Sequence, residues 1–204
     1  TGRLSSTEPN LQNIPTRTDL GSEIRKMFVP AEGCVLVDAD YSQIELRLLA
    51  CMAGDQAMIE GFRSGEDIHT ITASQVFDVP VNEVTTLMRR SAKAVNFGIV
   101  YGISGFGLAR NAGLSRKEAD QFIQTYFQRY PGVRAFMDEC VRLGNETGYA
   151  QTMHGRRREL YELRSSNRNV RNFGERAAMN TPVQGTAADI IKLAMVKVSQ
   201  RLRD

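Results

Sequence analysis

The chain has 204 residues, 42% of them hydrophobic, and its 26 Lys and Arg against 23 Asp and Glu give a formal net charge of +3. That is enough apolar material to bury a core in one or two domains, and too small an excess of charge to mark a nucleic-acid binder by itself. No run approaches the roughly 20 apolar residues of a bilayer-spanning helix, no basic-then-apolar leader opens the sequence, and the three cysteines lack metal-ligand spacing, so a soluble protein in a reducing cytoplasm is expected.

Residues 1–33 are rich in Pro, Gly, Ser and Asn and should be extended or looped. From Cys34 to Val37 a short apolar run bounded by Gly33 predicts a strand. Helical spacing follows Ser42, which stands three residues before Glu45 as in a capping box, and Ile44, Leu48 and Cys51 recur on one face. Asp40 therefore falls where strand gives way to helix. Asp38 and Asp40, two residues apart, share a strand face, so at least one of them requires a cation, a donor or solvent. Magnesium would meet that need, although an acid at such a place often only caps the next helix.

Helices are predicted over 42–53, 55–62, 67–77, 82–101, 115–129, 132–147 and 185–203, punctuated by Gly54, Gly65, Pro80, Gly113 and Pro131. The helix over 82–101 has a chemically divided surface: Met88, Ala92, Val95 and Ile99 line up on one side, Arg89, Lys93, Phe97 and Tyr101 on another. The first set already supplies a buried side. Two cations one turn apart can hold a polyphosphate, and the rings beyond them offer a surface for a base, which suits a nucleoside triphosphate. Each position taken singly is more often a solvated charge or a core ring.

Residues 104–108 read as a glycine-rich link, and His69, just after Asp67, as part of a helix start. Tyr149 to Leu160 breaks the helical rhythm, with His154 and Gly155 placed to turn a short hairpin. Seven arginines against three glutamates follow between Arg156 and Arg176, a cluster suited to phosphate or simply to water. In the last helix Ile191, Met195, Val198 and Leu202 mark the expected buried face.

Asp-Tyr-Ser-Gln-Ile-Glu-Leu-Arg at 40–47 resembles motif A of the family A DNA polymerases of the bacterial polymerase I type. Arg-Arg-Ser-Ala-Lys-Ala-Val-Asn-Phe-Gly-Ile-Val-Tyr-Gly at 89–102 resembles their motif B. Thr-Gly-Arg-Leu-Ser-Ser at 1–6, Pro-Asn-Leu-Gln-Asn-Ile-Pro at 9–15 and Asn-Thr-Pro-Val-Gln-Gly-Thr-Ala-Ala-Asp at 180–189 extend the likeness over essentially the whole chain. The resemblance implies an α+β, predominantly helical fold, in which fingers helices are attached to an incomplete palm sheet. Residues 1–45 would form the first part of the palm, and 46–204 the fingers, with the last helix packing back towards the palm.

By the same resemblance Asp40 is a ligand of both catalytic Mg2+ ions, helped at one by the Tyr41 carbonyl. Arg89 and Lys93 grip the triphosphate of the incoming dNTP, assisted by Gln43 and His69, and Lys93 protonates the leaving pyrophosphate. Phe97 lies against base and sugar, Glu45 blocks a ribose 2′-hydroxyl, and Tyr101 holds the template-base position until the helix closes. Arg3, Asn180 and Gln184 contact primer-template DNA, with Asn10, Asn13 and Arg176 as further candidates. The family's His-Asp-Glu tripeptide, source of the second metal-binding Asp, is absent. The chain thus reads as a fragment, inactive alone, that works with the thumb and the rest of the palm in a cytoplasmic, nucleoid-associated enzyme. Two other readings compete: a non-catalytic helical nucleic-acid-binding module, and an exonuclease built on Asp38 and Asp40, which lacks further acid clusters.

Overall fold

The computed structural model describes residues 2–15, 18–102 and 105–203, and only the backbone of Asn111. Thr1, Ser104 and Asp204, which the sequence motifs and boundaries touch, lie outside them. The described residues divide into two compact units, 2–42 and 43–203.

The shorter unit holds a 3-10 turn, Leu11–Asn13, and one helix, α1 (Asp19–Arg25). The Asn10 side chain accepts from the Gln12 amide at 3.1 Å to start the turn, and the Thr18 hydroxyl accepts from Gly21 at 3.1 Å to cap the helix. The strand expected over Cys34–Val37 does not form: among the described residues nothing pairs with it, and Val35 and Val37 stay 80% and 85% exposed. Apolar alternation gives a segment the capacity for a ladder, but a strand exists only with a neighbour to share its N–H and C=O groups.

The larger unit is helical: α2 (Ile44–Ala53), α3 (Gln56–Arg63), α4 (Ile68–Phe77), α5 (Thr86–Val100), α6 (Gly105–Ala112), α7 (Arg116–Arg129), α8 (Pro131–Thr147) and α9 (Arg168–Arg201). Local chemistry sets most starts. Asp55, Asp67, Thr85 and Ser115 each accept a first-turn amide hydrogen bond, and Ser115 with Glu118 completes a reciprocal capping box. Gln43, at φ 57°, is the residue before α2 and gives no side-chain cap, and Glu45 in the first turn is buried. The stretch expected to be a link over 104–108 is instead largely the first turn of α6, whose Leu108 is fully buried.

One core runs through Leu46, Leu49, Met58, Ile68, Val95, Ile99, Phe122, Tyr126, Val133 and Val183, drawn from seven of these helices. Asp55 ties two starts together, capping α3 at Met58 and accepting from the Gly132 amide of α8 at 3.0 Å. A two-stranded antiparallel hairpin, β1 (Tyr149–Gln151) and β2 (Arg157–Glu159), turns through His154 and Gly155 as the sequence predicts. It is held to α9 by Arg156, which pairs with Asp189 at 2.9 Å and donates to the Gly185 carbonyl, and by the Met153 amide, which donates to Thr186.

Helix α9 begins 17 residues before its expected start at Gly185. It remains helical through Pro182, beside which the Thr181 hydroxyl donates to the Ala177 carbonyl at 2.6 Å. Residues 181–188 are its buried stretch, whereas the expected buried face is open: Ile191, Met195, Val198 and Leu202 are all exposed. Helical spacing shows which residues share a face; whether anything covers that face depends on partners the spacing does not contain.

Candidate functional site

Helix α5 is divided as its spacing predicts. Ala92, Val95 and Ile99 are buried and Met88 half-buried, while Arg89, Lys93 and Tyr101 are exposed and Phe97 lies half-buried between. The Lys93 ammonium stands 6.0 Å from the centre of the Phe97 ring, and that ring is 5.6 Å from the imidazole of His69. Arg89, His69, Lys93 and Phe97 thus form one continuous stripe along the α4–α5 pair, with Tyr101 at its far end.

Two contacts at the ends of the stripe are not evident in the sequence. Asp67 receives both Nε and Nη2 of Arg89, at 2.9 and 3.2 Å, while also capping α4 through the Thr70 amide and hydroxyl. Burial alone would raise the Asp67 carboxyl; the hydrogen bonds from Arg89 and Thr70 outweigh it and hold the group below its ordinary value. At the other end the Tyr101 hydroxyl donates to the Glu45 carboxylate at 3.2 Å, joining α5 to the first turn of α2. Gln43 lies half-exposed just before that turn.

His69 is only 2% exposed. Its pKa lies below the ordinary histidine value, first because burial penalises the imidazolium and then because Arg89 and Lys93 repel it, against an opposing pull from Asp67. Beneath it lies a polar core that sequence reasoning missed: Asn96, Thr72 and Tyr130, joined by hydrogen bonds. The available signal was Asn96 itself, a polar residue on the buried side of an otherwise apolar register.

Of the proposed DNA contacts in this unit, Arg176 is exposed, Asn180 half-buried and Gln184 buried, one per turn along α9. Asn180 Oδ1 and Gln184 Nε2 have no hydrogen-bond partner among the described residues, an uncommon condition for buried polar atoms. Within the arginine cluster, Arg156 is tied to Asp189 and Arg157 lies 4.3 Å over the Tyr149 ring, so part of it serves the hairpin, whereas Arg164, Arg168, Arg171 and Arg176 are exposed.

In the shorter unit Arg3, Asn10, Asn13, Asp38, Asp40 and Tyr41 are all exposed. Among the described residues no three His, Cys, Asp or Glu side chains group as a metal site. The Asp40 carboxylate and Tyr41 carbonyl are hard oxygen donors of the kind magnesium takes; two donors suit that ion, which commonly keeps several waters and substrate oxygens.

The profile of DNA polymerase family A matches residues 1–204. DNA polymerase I of Caldicellulosiruptor bescii is 54% identical over 204 residues, all of this chain and 24% of that protein. DNA polymerase I of Geobacillus stearothermophilus is 58% identical over 205 aligned residues, again all of this chain and 23% of the relative. The chain therefore spans about a quarter of the length of these curated relatives. A solved structure of the POL domain of Pol1 from M. smegmatis, in complex with DNA primer-template and dNTP, superposes with a TM-score of 0.90 at 50% identity, over 99% of this chain and 36% of that one.

Proposed function

Because the chain belongs to DNA polymerase family A, we propose that it serves DNA-directed nucleotidyl transfer, binding the incoming dNTP and primer-template DNA and supplying one magnesium-binding carboxylate. The observation that carries this reading is the α4–α5 stripe. Two exposed cations and a half-buried ring lie on one side of α5, with the imidazole of the buried His69 5.6 Å from that ring, while the opposite side of α5 already fills the core.

Arg89 and Lys93 hold the triphosphate, with Gln43 and His69 assisting. A guanidinium offers paired donors to phosphate oxygens, and an ammonium offers a compact charge together with a proton for the departing pyrophosphate. Triphosphate oxygens compete with the Asp67 carboxylate for Arg89, so its present ion pair is exchanged or shared on binding. Phe97 receives base and sugar, Glu45 excludes a 2′-hydroxyl, and Tyr101 occupies the template-base position when no nucleotide is bound. Asn180 and Gln184 bring unpartnered amide atoms suited to base edges in the minor groove, Arg176 brings charge, and Arg3, Asn10 and Asn13 contribute from the shorter unit.

Asp40 and the Tyr41 carbonyl are the residues that would hold Mg2+, which when bound polarises phosphate oxygens and lowers the pKa of the attacking hydroxyl. A two-ion site calls for a second carboxylate, and no His-Asp-Glu occurs in the sequence. The thumb and the remaining palm of the parent polymerase complete the machine, in a cytoplasmic, nucleoid-associated setting.

Magnesium-dependent binding of dATP tests the reading. Lys93→Ala should weaken it about tenfold, the worth of a charge-assisted contact, with helicity unchanged. Indifference to that substitution would favour a non-catalytic nucleic-acid-binding module. Primer extension by the 204-residue chain should stay at background; a rate like that of a whole polymerase refutes the two-ion reading, since one Asp does not hold two ions about 3.5–4 Å apart.

A further inference from the structure

We propose that Asn96 is a positioning residue for His69: its amide fixes the imidazole in the tautomer protonated at Nε2, so that the ring presents one neutral N–H donor to a triphosphate oxygen. The inference rests on the triphosphate reading of His69.

Asn96 is 0% exposed, on the inner side of α5 next to Phe97 in sequence. Its Nδ2 donates to His69 Nδ1 at 3.0 Å and to Thr72 Oγ1 at 3.1 Å, so both amide hydrogens are engaged. Thr72 Oγ1 lies 3.3 Å from the Tyr130 hydroxyl and 3.4 Å from Asn96 Oδ1, which ties the amide to α4 and to the residue preceding α8. Turned over, the amide would set its oxygen against Nδ1 and Thr72 Oγ1, which would then have to supply the hydrogens, so the orientation of this buried amide and the tautomer of the ring are linked.

The consequence reaches the stripe. An imidazole nitrogen that accepts a hydrogen bond carries no proton, so the neutral ring must bear its hydrogen at Nε2. The charges facing the ring are Asp67 from its own helix and Arg89 and Lys93 from α5, and their sum with burial keeps it neutral. Nε2 as a donor attracts a phosphate oxygen; Nε2 as a bare acceptor would repel it. The reversed amide, Oδ1 towards Nδ1, gives that repulsive tautomer, so the orientation of one buried side chain sets the sign of the contact.

The chain has two histidines, His69 and His154, so nitrogen-15 labelling of histidine reads the tautomer directly. His69 should show its hydrogen on Nε2. Asn96→Asp, nearly isosteric, replaces the donor by an acceptor: the His69 hydrogen should appear on Nδ1 and the ring should titrate higher than in the native chain. For dATP with magnesium, His69→Ala should weaken binding about tenfold, Asn96→Leu by a similar factor, and the double variant by no more than either alone. A hydrogen on Nδ1 in the native chain, a tautomer and titration unmoved by Asn96→Asp, or additive losses in the double variant would each overturn the proposal. Full dATP affinity in His69→Ala overturns the triphosphate reading and the inference with it. That failure is told apart from the others by an Nε2 hydrogen that persists in the native chain. If Asn96→Leu does not fold, the Asn96→Asp arm decides.

Discussion

His69 couples site chemistry to stability through one proton. Its folded pKa lies below that of the free side chain, about 6.5, so on acidification the unfolded chain takes up a proton first. Stability is full above that value and falls as pH drops through the window beneath it. Asp67, also lowered, contributes stability present above 3.8 and lost as pH falls through its folded value, so it extends the decline further into acid. Urea denaturation at pH 7 and pH 5 should show a smaller difference for His69→Gln than for the native chain; equal differences would remove His69 from the acid response. At the same scale, Glu45→Ala in a complete polymerase should raise ribonucleotide incorporation, because a carboxylate buried at the start of α2 no longer fills the space a 2′-hydroxyl needs. Unchanged sugar preference, measured as the ratio of kcat/KM for dATP and ATP, contradicts that role.

Among the elements, α9 shows most clearly what packing adds to propensity. Gly174 sits inside it, where alanine would ordinarily stabilise a helix by roughly 1 kcal/mol. Here a Cβ would stand 2.9 Å from the Leu163 backbone nitrogen and 3.0 Å from Glu162 Cβ, and backbone yields less readily than a side-chain tip. Gly174→Ala should therefore destabilise by about 1–3 kcal/mol in thermal or urea unfolding; a gain in Tm would show that the 3-10 turn at Tyr161–Arg164 gives way instead. The two faces of α5 and the hairpin at Tyr149–Glu159 were legible in the sequence, since periodicity and a turn dipeptide are local properties. The strand at Cys34–Val37, the buried face over Ile191–Leu202 and the early start of α9 were not. The first two depend on what lies alongside, and Pro182 masked a helix that carries on regardless. Asn96 and the pairing of Asp67 with Arg89 escaped notice because each contact spans more than 20 positions, Asn96 to His69 and Asp67 to Arg89.

Taken as a whole molecule, the chain leaves a run of apolar surface at the end of α9: Leu193, Val196 and Val198 are each more than half exposed. Adjoining exposed apolar side chains in water favour association. Sedimentation velocity should show mass rising with concentration, and Leu193→Glu with Val196→Glu should suppress the rise; a monomer at all concentrations would mean the face is tolerated in water. A different long-range link joins α2 to α5, where the hydroxyl of Tyr101 rests on Glu45 across 56 positions of sequence. A hydrogen bond binds both its members equally, so whatever draws the ring aside also releases the carboxylate, and whatever engages the carboxylate loosens the ring. Under the roles proposed for Glu45 and Tyr101, sugar choice and ring placement would be two readouts of a single reciprocal equilibrium.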